Sequence, residues 1–214
     1  MKMWSGRFRQ PLDPGFERWQ RSFGFDRRLL KHELAASSAH ARALKNAGVL
    51  SSEELIAILQ GLEELGKKSA FSPAFLDDPE AEDVHHFVEK QLVSLIGDTG
   101  FKLHSGRSRN EQIATDLRLY VREAIDQLRA DLAELLDAFV DRAAQAGNAA
   151  MPAYTHLQQA EPVLVAHWLL TYVEMFLRDA ERLGDCRKRL NVCPLDRDES
   201  AHHRLPSPPA CVPN

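Results

Sequence analysis

The chain has 214 residues, a formal net charge of −4, and 44% hydrophobic and 27% charged residues, the composition of an ordinary globular protein. The mild acidity gives no reason to expect nucleic acid or an anionic membrane as partner, and no apolar run approaches the roughly 20 residues that cross a bilayer. The opening MKMWSGRFRQ has no apolar stretch of the secretory kind, and Cys186, Cys193 and Cys211 form no CxxC pair; they read as free thiols of a reducing, cytoplasmic compartment, not as a zinc site.

Residues 1–26, punctuated by Pro11, Pro14, Gly15 and Gly24, read as an extended arm without a period. A helix is predicted from near Arg27 to Asn46, stopped by Gly48 as the residue after the cap. Ser51 with Glu54 makes a capping box for a second helix, which places Leu55, Ile58, Leu59 and Leu62 on one face. Ser72 to Pro79 reads as a loop. A third helix carries Val84, Phe87, Val88 and Leu92 and ends at Gly97. From about Asn110 to Ala146 neither Pro nor Gly occurs, and Ile113, Leu117, Tyr120, Val121, Leu128, Leu132, Leu135 and Phe139 recur every three or four positions. That spacing predicts a helix about 50 Å long. A second long helix is expected to start at Pro162 as its first helical residue and to run to about Leu190, with Gly184 as a weak spot. No segment sustains a two-residue alternation, so no sheet is expected. Trp4, Trp19 and Trp168 read as packing anchors. After Leu195 the run DRDESAHHRLPSPPACVPN holds four prolines and almost no large apolar residue, the pattern of a disordered tail. The expected organisation is an N-terminal arm and small helical domain at 1–109, part of a long-helix domain at 110–195, and the tail at 196–214. A long amphipathic pair cannot cover its own apolar stripe and needs further long helices.

Two polar segments interrupt the helical pattern. His104-Ser105-Gly106-Arg107-Ser108-Arg109-Asn110 precedes the longest helix. Backbone N–H groups, hydroxyls and guanidiniums at a helix start suit an anion, and arginine grips carboxylates in pairs of hydrogen bonds; a solvated cap is the alternative. Tyr154-Thr155-His156-Leu157-Gln158 lies between the long helices. A loop histidine beside hydroxyl and amide groups can move protons near neutral pH, and a structural histidine bonded to backbone fits the same residues. Glu82-Asp83-Val84-His85-His86 invites a metal reading, but spacing places no second ligand group, and an acid-rich helix start explains it more simply. No metal site is expected. His202 and His203 read as solvated residues of the tail.

KLHSGRSRNEQIATDLRLY and PAYTHLQQAEPVLVAHW closely resemble the two signature segments of argininosuccinate lyases, and WSGRF, EDVHHFVE and RKRLNVCPL resemble further segments in the same order. The resemblance covers roughly residues 3–195. It implies an all-α fold of the fumarase/aspartase type and cofactor-free cleavage of argininosuccinate to arginine and fumarate, a step of arginine biosynthesis and the urea cycle. It also implies a homotetramer whose active sites are assembled from several subunits. Carried over by position, His156 is the catalytic histidine, while Ser22, Ser108, Arg109, Asn110, Thr155 and the weaker candidate Gln158 bind substrate. Crystallin-type relatives that serve as structural proteins belong to the same family, so a non-catalytic structural or helical interaction role is the alternative. The family's third segment, a Gly-Ser-Ser loop followed by Met-Pro-x-Lys-x-Asn-Pro, has no counterpart in these 214 residues. The resemblance assigns the catalytic serine and a substrate-binding lysine to it. The expectation is therefore a chain that stops before that site is complete and is inactive alone.

Overall fold

A computed structural model describes residues 13–194; Trp4, Cys211, His202, His203 and the expected tail at 196–214 lie outside the described residues. The described chain is nearly all helical, with one two-stranded antiparallel sheet. It forms two compact units that divide within the longest helix, between Leu117 and Arg118.

The first unit opens with α1 (Pro14–Gln20) and α2 (Phe23–Asp26), where an extended arm was expected. The cause is local. The Asp13 carboxylate accepts from the backbone N–H groups of Gly15 at 2.9 Å and Phe16 at 3.0 Å, and Pro14 sits at the first helical position, where a missing N–H costs nothing. Elements this short show no period. α3 (Leu30–Asn46) is followed by Gly48 at φ 77°, the left-handed conformation that glycine adopts freely. α4 (Ser52–Phe71) starts with the expected capping box: the Ser51 hydroxyl accepts from Glu54 N–H at 3.2 Å, and Ser51 N–H donates back to the Glu54 carboxylate at 2.9 Å. The expected loop after it contains a single 3₁₀ turn, Pro73–Leu76. α5 (Val84–Ile96) leads into a 3₁₀ segment, Gly97–His104.

Helices α3, α4 and α5 pack on one another. Leu44, Ile58, Leu62, Leu65, Val84, Phe87, Val88 and Leu92 are buried between them. Phe87 is the centre of an aromatic group, stacked on Phe23 at 4.9 Å and edge-on to Phe75 at 5.3 Å. α4 and α5 approach closely because position 61 is glycine; a Cβ there would meet Leu92 Cδ1 at 2.6 Å. α6 (Arg109–Ala146) begins in this unit and runs 38 residues without a break.

The second unit holds residues 118–192. After Gly147, β1 (Ala150–Thr155) and β2 (Gln158–Leu164) form a hairpin, and α7 (Val165–Leu190) follows directly. This corrects two expectations, the absence of any sheet and a helix start at Pro162. Pro162 lies opposite Pro152 in the hairpin, so the helix waits until Val165. Paired prolines donate no ladder hydrogen bonds, and the ladder is irregular between Pro152 and Tyr154, which erased the alternation that would have announced strands. α7 passes through Gly184 unbroken.

Contacts along α7 run antiparallel to those along α6. Phe139 lies against Tyr172 at 6.0 Å and Phe176 at 6.2 Å, and the Asp126 carboxylate accepts from Arg187 Nε at 2.5 Å and Nη2 at 2.9 Å. The pair does not bury its stripe. α7 has no buried residue, and Leu128, Leu135, Trp168, Met175 and Leu177 stay exposed. Nor is Trp19 an anchor: it touches Phe16 at 5.6 Å and is 78% exposed. No helix among the described residues is long and apolar enough to cross a membrane.

Candidate functional site

The candidates fall into two groups, one within each unit. In the first unit, Ser108 caps α6 through a capping box: its hydroxyl oxygen accepts from Glu111 N–H at 3.3 Å and its own N–H donates to the Glu111 carboxylate at 2.9 Å. Accepting leaves the hydroxyl hydrogen available to a ligand. Arg109 donates from Nη1 to Asp83 Oδ1 at 2.6 Å. The same oxygen accepts from His86 N–H at 2.7 Å, so Asp83 is also the N-cap of α5. The acid-rich helix start is thus a cap, as read from the sequence.

Ser22 joins this group through the backbone. Ser22 N–H and Phe23 N–H both donate to the Glu82 carbonyl, at 2.8 and 3.1 Å. The Ser22 hydroxyl donates to Asp26 at 2.6 Å, and the other Asp26 oxygen accepts from Val84 N–H at 3.1 Å. The residues 82–84 therefore hold the Ser22 turn on one side and Arg109 on the other. Asn110 stands exposed on the first turn of α6.

Two histidines sit beside the arginines of the loop. Burial and the Arg107 charge hold His40 down to about 4, although its Nε2 lies 3.0 Å from the Ser105 carbonyl. Burial and the Arg107 and Arg109 charges, against the Glu89 carboxylate, also lower His104. A small gap among Glu33, His85, Glu89, His104, Arg107 and Arg109 lies under the loop, with about 10 Å³ of room, too little for a substrate.

In the second unit, Thr155 and Gln158 are the last paired residues of the hairpin, and His156 and Leu157 form its two-residue tip. Both tip residues have positive φ, 52° and 63°, as tight primed hairpin turns require. Asn and Gly usually fill such positions, and a bulky residue there costs about 1–2 kcal/mol. All four residues are exposed, and Leu157 is 99% exposed. The imidazole is thus presented at a strained, protruding tip, not bonded into a core.

Sequence reasoning missed a buried cluster below the first group. Glu33 from α3, His85 from α5 and Asp116 from α6 each direct one ligand-capable atom to a common point, all within 4.8 Å of one another. Gln112 and Ser37 donate to Glu33, at 2.9 and 2.6 Å, and Arg107 Nη2 donates to Ser37 Oγ at 3.1 Å and lies 3.9 Å from Glu33. Polar residues at inward positions of α3 and α6 were the available signal.

The profile of the lyase family matches residues 6–197. A protein named argininosuccinate lyase from Koribacter versatilis (strain Ellin345) is 63% identical over 195 residues, which make up 91% of this chain and 41% of that protein. One of the same name from Acidobacterium capsulatum is 60% identical over 200 residues, again 91% of this chain and 41% of the relative. The solved structure of an EDDS lyase variant with bound fumarate superposes with a TM-score of 0.72 over 92% of this chain and 39% of its own, at 24% identity, a likeness of fold. The chain spans about two fifths of the length of these relatives, and it belongs to the lyase family.

Proposed function

We propose that this chain supplies two of the working parts of an argininosuccinate lyase: the carboxylate-binding loop at 105–110 and the proton-transferring histidine, His156. The reaction removes a proton from the carbon next to a carboxylate and expels a guanidinium, giving fumarate and arginine. Negative charge builds on that carboxylate and must be met by donors already in place. Arg109, held by Asp83, with Ser108 and Asn110, forms such a set, and Ser22 lies on the same support. His156 is the group for proton transfer, with Thr155 and Gln158 flanking it.

The observation that carries the reading is the hairpin tip. A histidine and a leucine held at positive φ on an exposed turn are unfavourable for folding, and strain of this kind persists where it aims a functional group. Half-exposed stripes on α6 and α7 support self-association, in the family's case as a homotetramer. The test is titration of the ¹⁵N-labelled chain with fumarate. Amides of residues 105–111 are expected to shift at millimolar concentration in the parent and not in Arg109→Gln. Shifts scattered over the surface, or equal in the variant, would show that the loop is not the carboxylate site.

A further inference from the structure

The buried cluster under the loop poses a charge problem. Glu33 and Asp116 are both fully buried. Glu33 is amply supplied with donors: Ser37 and Gln112 on one oxygen, His85 Nδ1 at 3.0 Å on the other. Asp116 is not. Both its oxygens are buried, and among the described residues neither meets a donor; His85 Nδ1, at 3.6 Å, is already directed at Glu33. An ionised carboxylate in that position would keep its charge without water or hydrogen bonds, at a cost of several kcal/mol. A protonated one becomes a donor itself, and the Glu33 carboxylate is the acceptor within reach.

We propose that Glu33 and Asp116 share one proton, and that this singly charged acid pair anchors Arg107, and with it the loop at 105–110, to α3. Every charged or titratable group around the pair is consistent with a total of one negative charge. α3 contributes Glu33 and His40, and α5 contributes His85 and, at the rim, Glu89. The segment before α6 contributes His104 and Arg107, and α6 contributes Arg109 and Asp116. Arg107 is the buried cation that faces both acids. One proton leaves one charge to balance one guanidinium. The directions agree: burial and the Glu33 charge push Asp116 well up, while for Glu33 burial is outweighed by the His85 hydrogen bond and the Arg107 charge, which hold it down. A divalent cation is the competing occupant of the same three groups. It would add two positive charges beside Arg107 and would have to displace the donors that already saturate Glu33.

Asp116 is then a positioning residue. It acts on the loop through Glu33 and Arg107, whatever ligand the loop takes. The experiment is a pH titration of the intact chain, with the side-chain carboxyl carbon of Asp116 followed by NMR. The signal is expected to stay at its protonated position through pH 8. In Glu33→Gln, which removes the neighbouring charge, its midpoint is expected to fall by about two units or more. Asp116→Asn, whose amide donates to Glu33 as the acid does, is expected to leave the amide shifts of residues 105–110 in place. An Asp116 signal that titrates near pH 4 in the parent chain would overturn the proposal. So would stoichiometric binding of Zn²⁺ or Mg²⁺ that moves this signal at neutral pH and is lost in Asp116→Asn. The parent titration decides the matter even where a variant fails to fold.

Discussion

Truncating Phe87 to alanine should cost the first unit a large part of its stability. Phe87 is fully buried, stacks on Phe23 at 4.9 Å and meets Phe75 edge-on at 5.3 Å. Removing a buried Phe side chain to Ala costs about 3–5 kcal/mol, and two aromatic neighbours, worth about 0.5–1.5 kcal/mol each, place this site at the upper end. Small domains hold only about 5–15 kcal/mol in all. Urea unfolding followed at amide signals of α4 and α5 reports this unit by itself. With a slope of about 2 kcal/mol per molar, the midpoint should fall by roughly 1.5–2.5 M. The effect should also reach the candidate site. Phe23 follows Ser22, and both N–H groups donate to the Glu82 carbonyl, so these two amides should lose exchange protection before the core of α4 does. Phe71→Ala is the control; Phe71 is 88% exposed, and its midpoint should move by less than about 0.3 M. A loss below about 1 kcal/mol for Phe87→Ala would mean that the Phe23–Phe87–Phe75 group does not hold the unit together.

Leu157→Gly should stabilise the hairpin. Relief of about 1–2 kcal/mol at φ 63° exceeds the roughly 0.5–1 kcal/mol of backbone freedom that Gly adds to the unfolded chain, and hairpin amides should exchange about two- to fivefold more slowly. Asp83→Ala removes both the α5 cap and the Arg109 partner and should cost about 2–4 kcal/mol by thermal unfolding; Asp83→Asn keeps an acceptor and should cost about 1 kcal/mol. For His40 the folded pKa lies near 4 against 6.5, so the unfolded chain binds the extra proton and stability drops as pH falls from about 6.5 to 4, by on the order of 3 kcal/mol. His40→Gln should remove that slope relative to the parent, and equal slopes would count against a buried neutral His40. Any activity recovered by co-refolding with a full-length relative disabled at its own YTHLQ histidine should vanish in His156→Asn.

Helices were legible wherever amphipathic spacing was long or a cap was explicit. α6 was expected from about Asn110 to Ala146 and runs Arg109–Ala146; α5 ends at Gly97 as expected, and Ser51–Glu54 forms the expected capping box of α4. The hairpin was not legible, because its strand residues face solvent on nearly every position and Pro152 and Pro162 look like breakers. A strand with no buried face has no alternation to read. α1 was missed for the opposite reason: its signal is the single Asp13–Pro14 pair, which only counts when capping is weighed without a period. The segments GRSRN and YTHLQ stood out as dense polar runs, whereas Glu33, Gln112 and Asp116 did not. Each follows other polar residues on an amphipathic helix, so nothing in the sequence marks it as the one that turns inward. Only the packing of α3, α5 and α6 around one point brings them together.

The loop before α6 shows how one short segment is divided between folding and chemistry. Gly106, at φ 70°, turns the chain. Arg107 points into the protein, with its side chain 5% exposed, and is spent on Ser37 and Glu33. Ser108 closes the helix cap. Arg109 is held at the edge by Asp83, with its side chain 15% exposed, and Asn110 faces outward. The two arginines look alike in sequence but stand in different surroundings, and the proposed carboxylate site uses only Arg109. A charge that is to grip a substrate must stay partly solvated until the substrate arrives, while a charge that anchors the loop needs a buried counter-charge. Glu33 and Asp116 supply that counter-charge below, and Asp83 is the partner of Arg109 at the rim. Exchanging the roles would leave Arg109 buried without a partner or Arg107 loose at the surface. The order Arg-Ser-Arg-Asn therefore follows the direction in which each residue leaves the turn: Arg107 and Ser108 precede the helix, and Arg109 and Asn110 lie on its first turn.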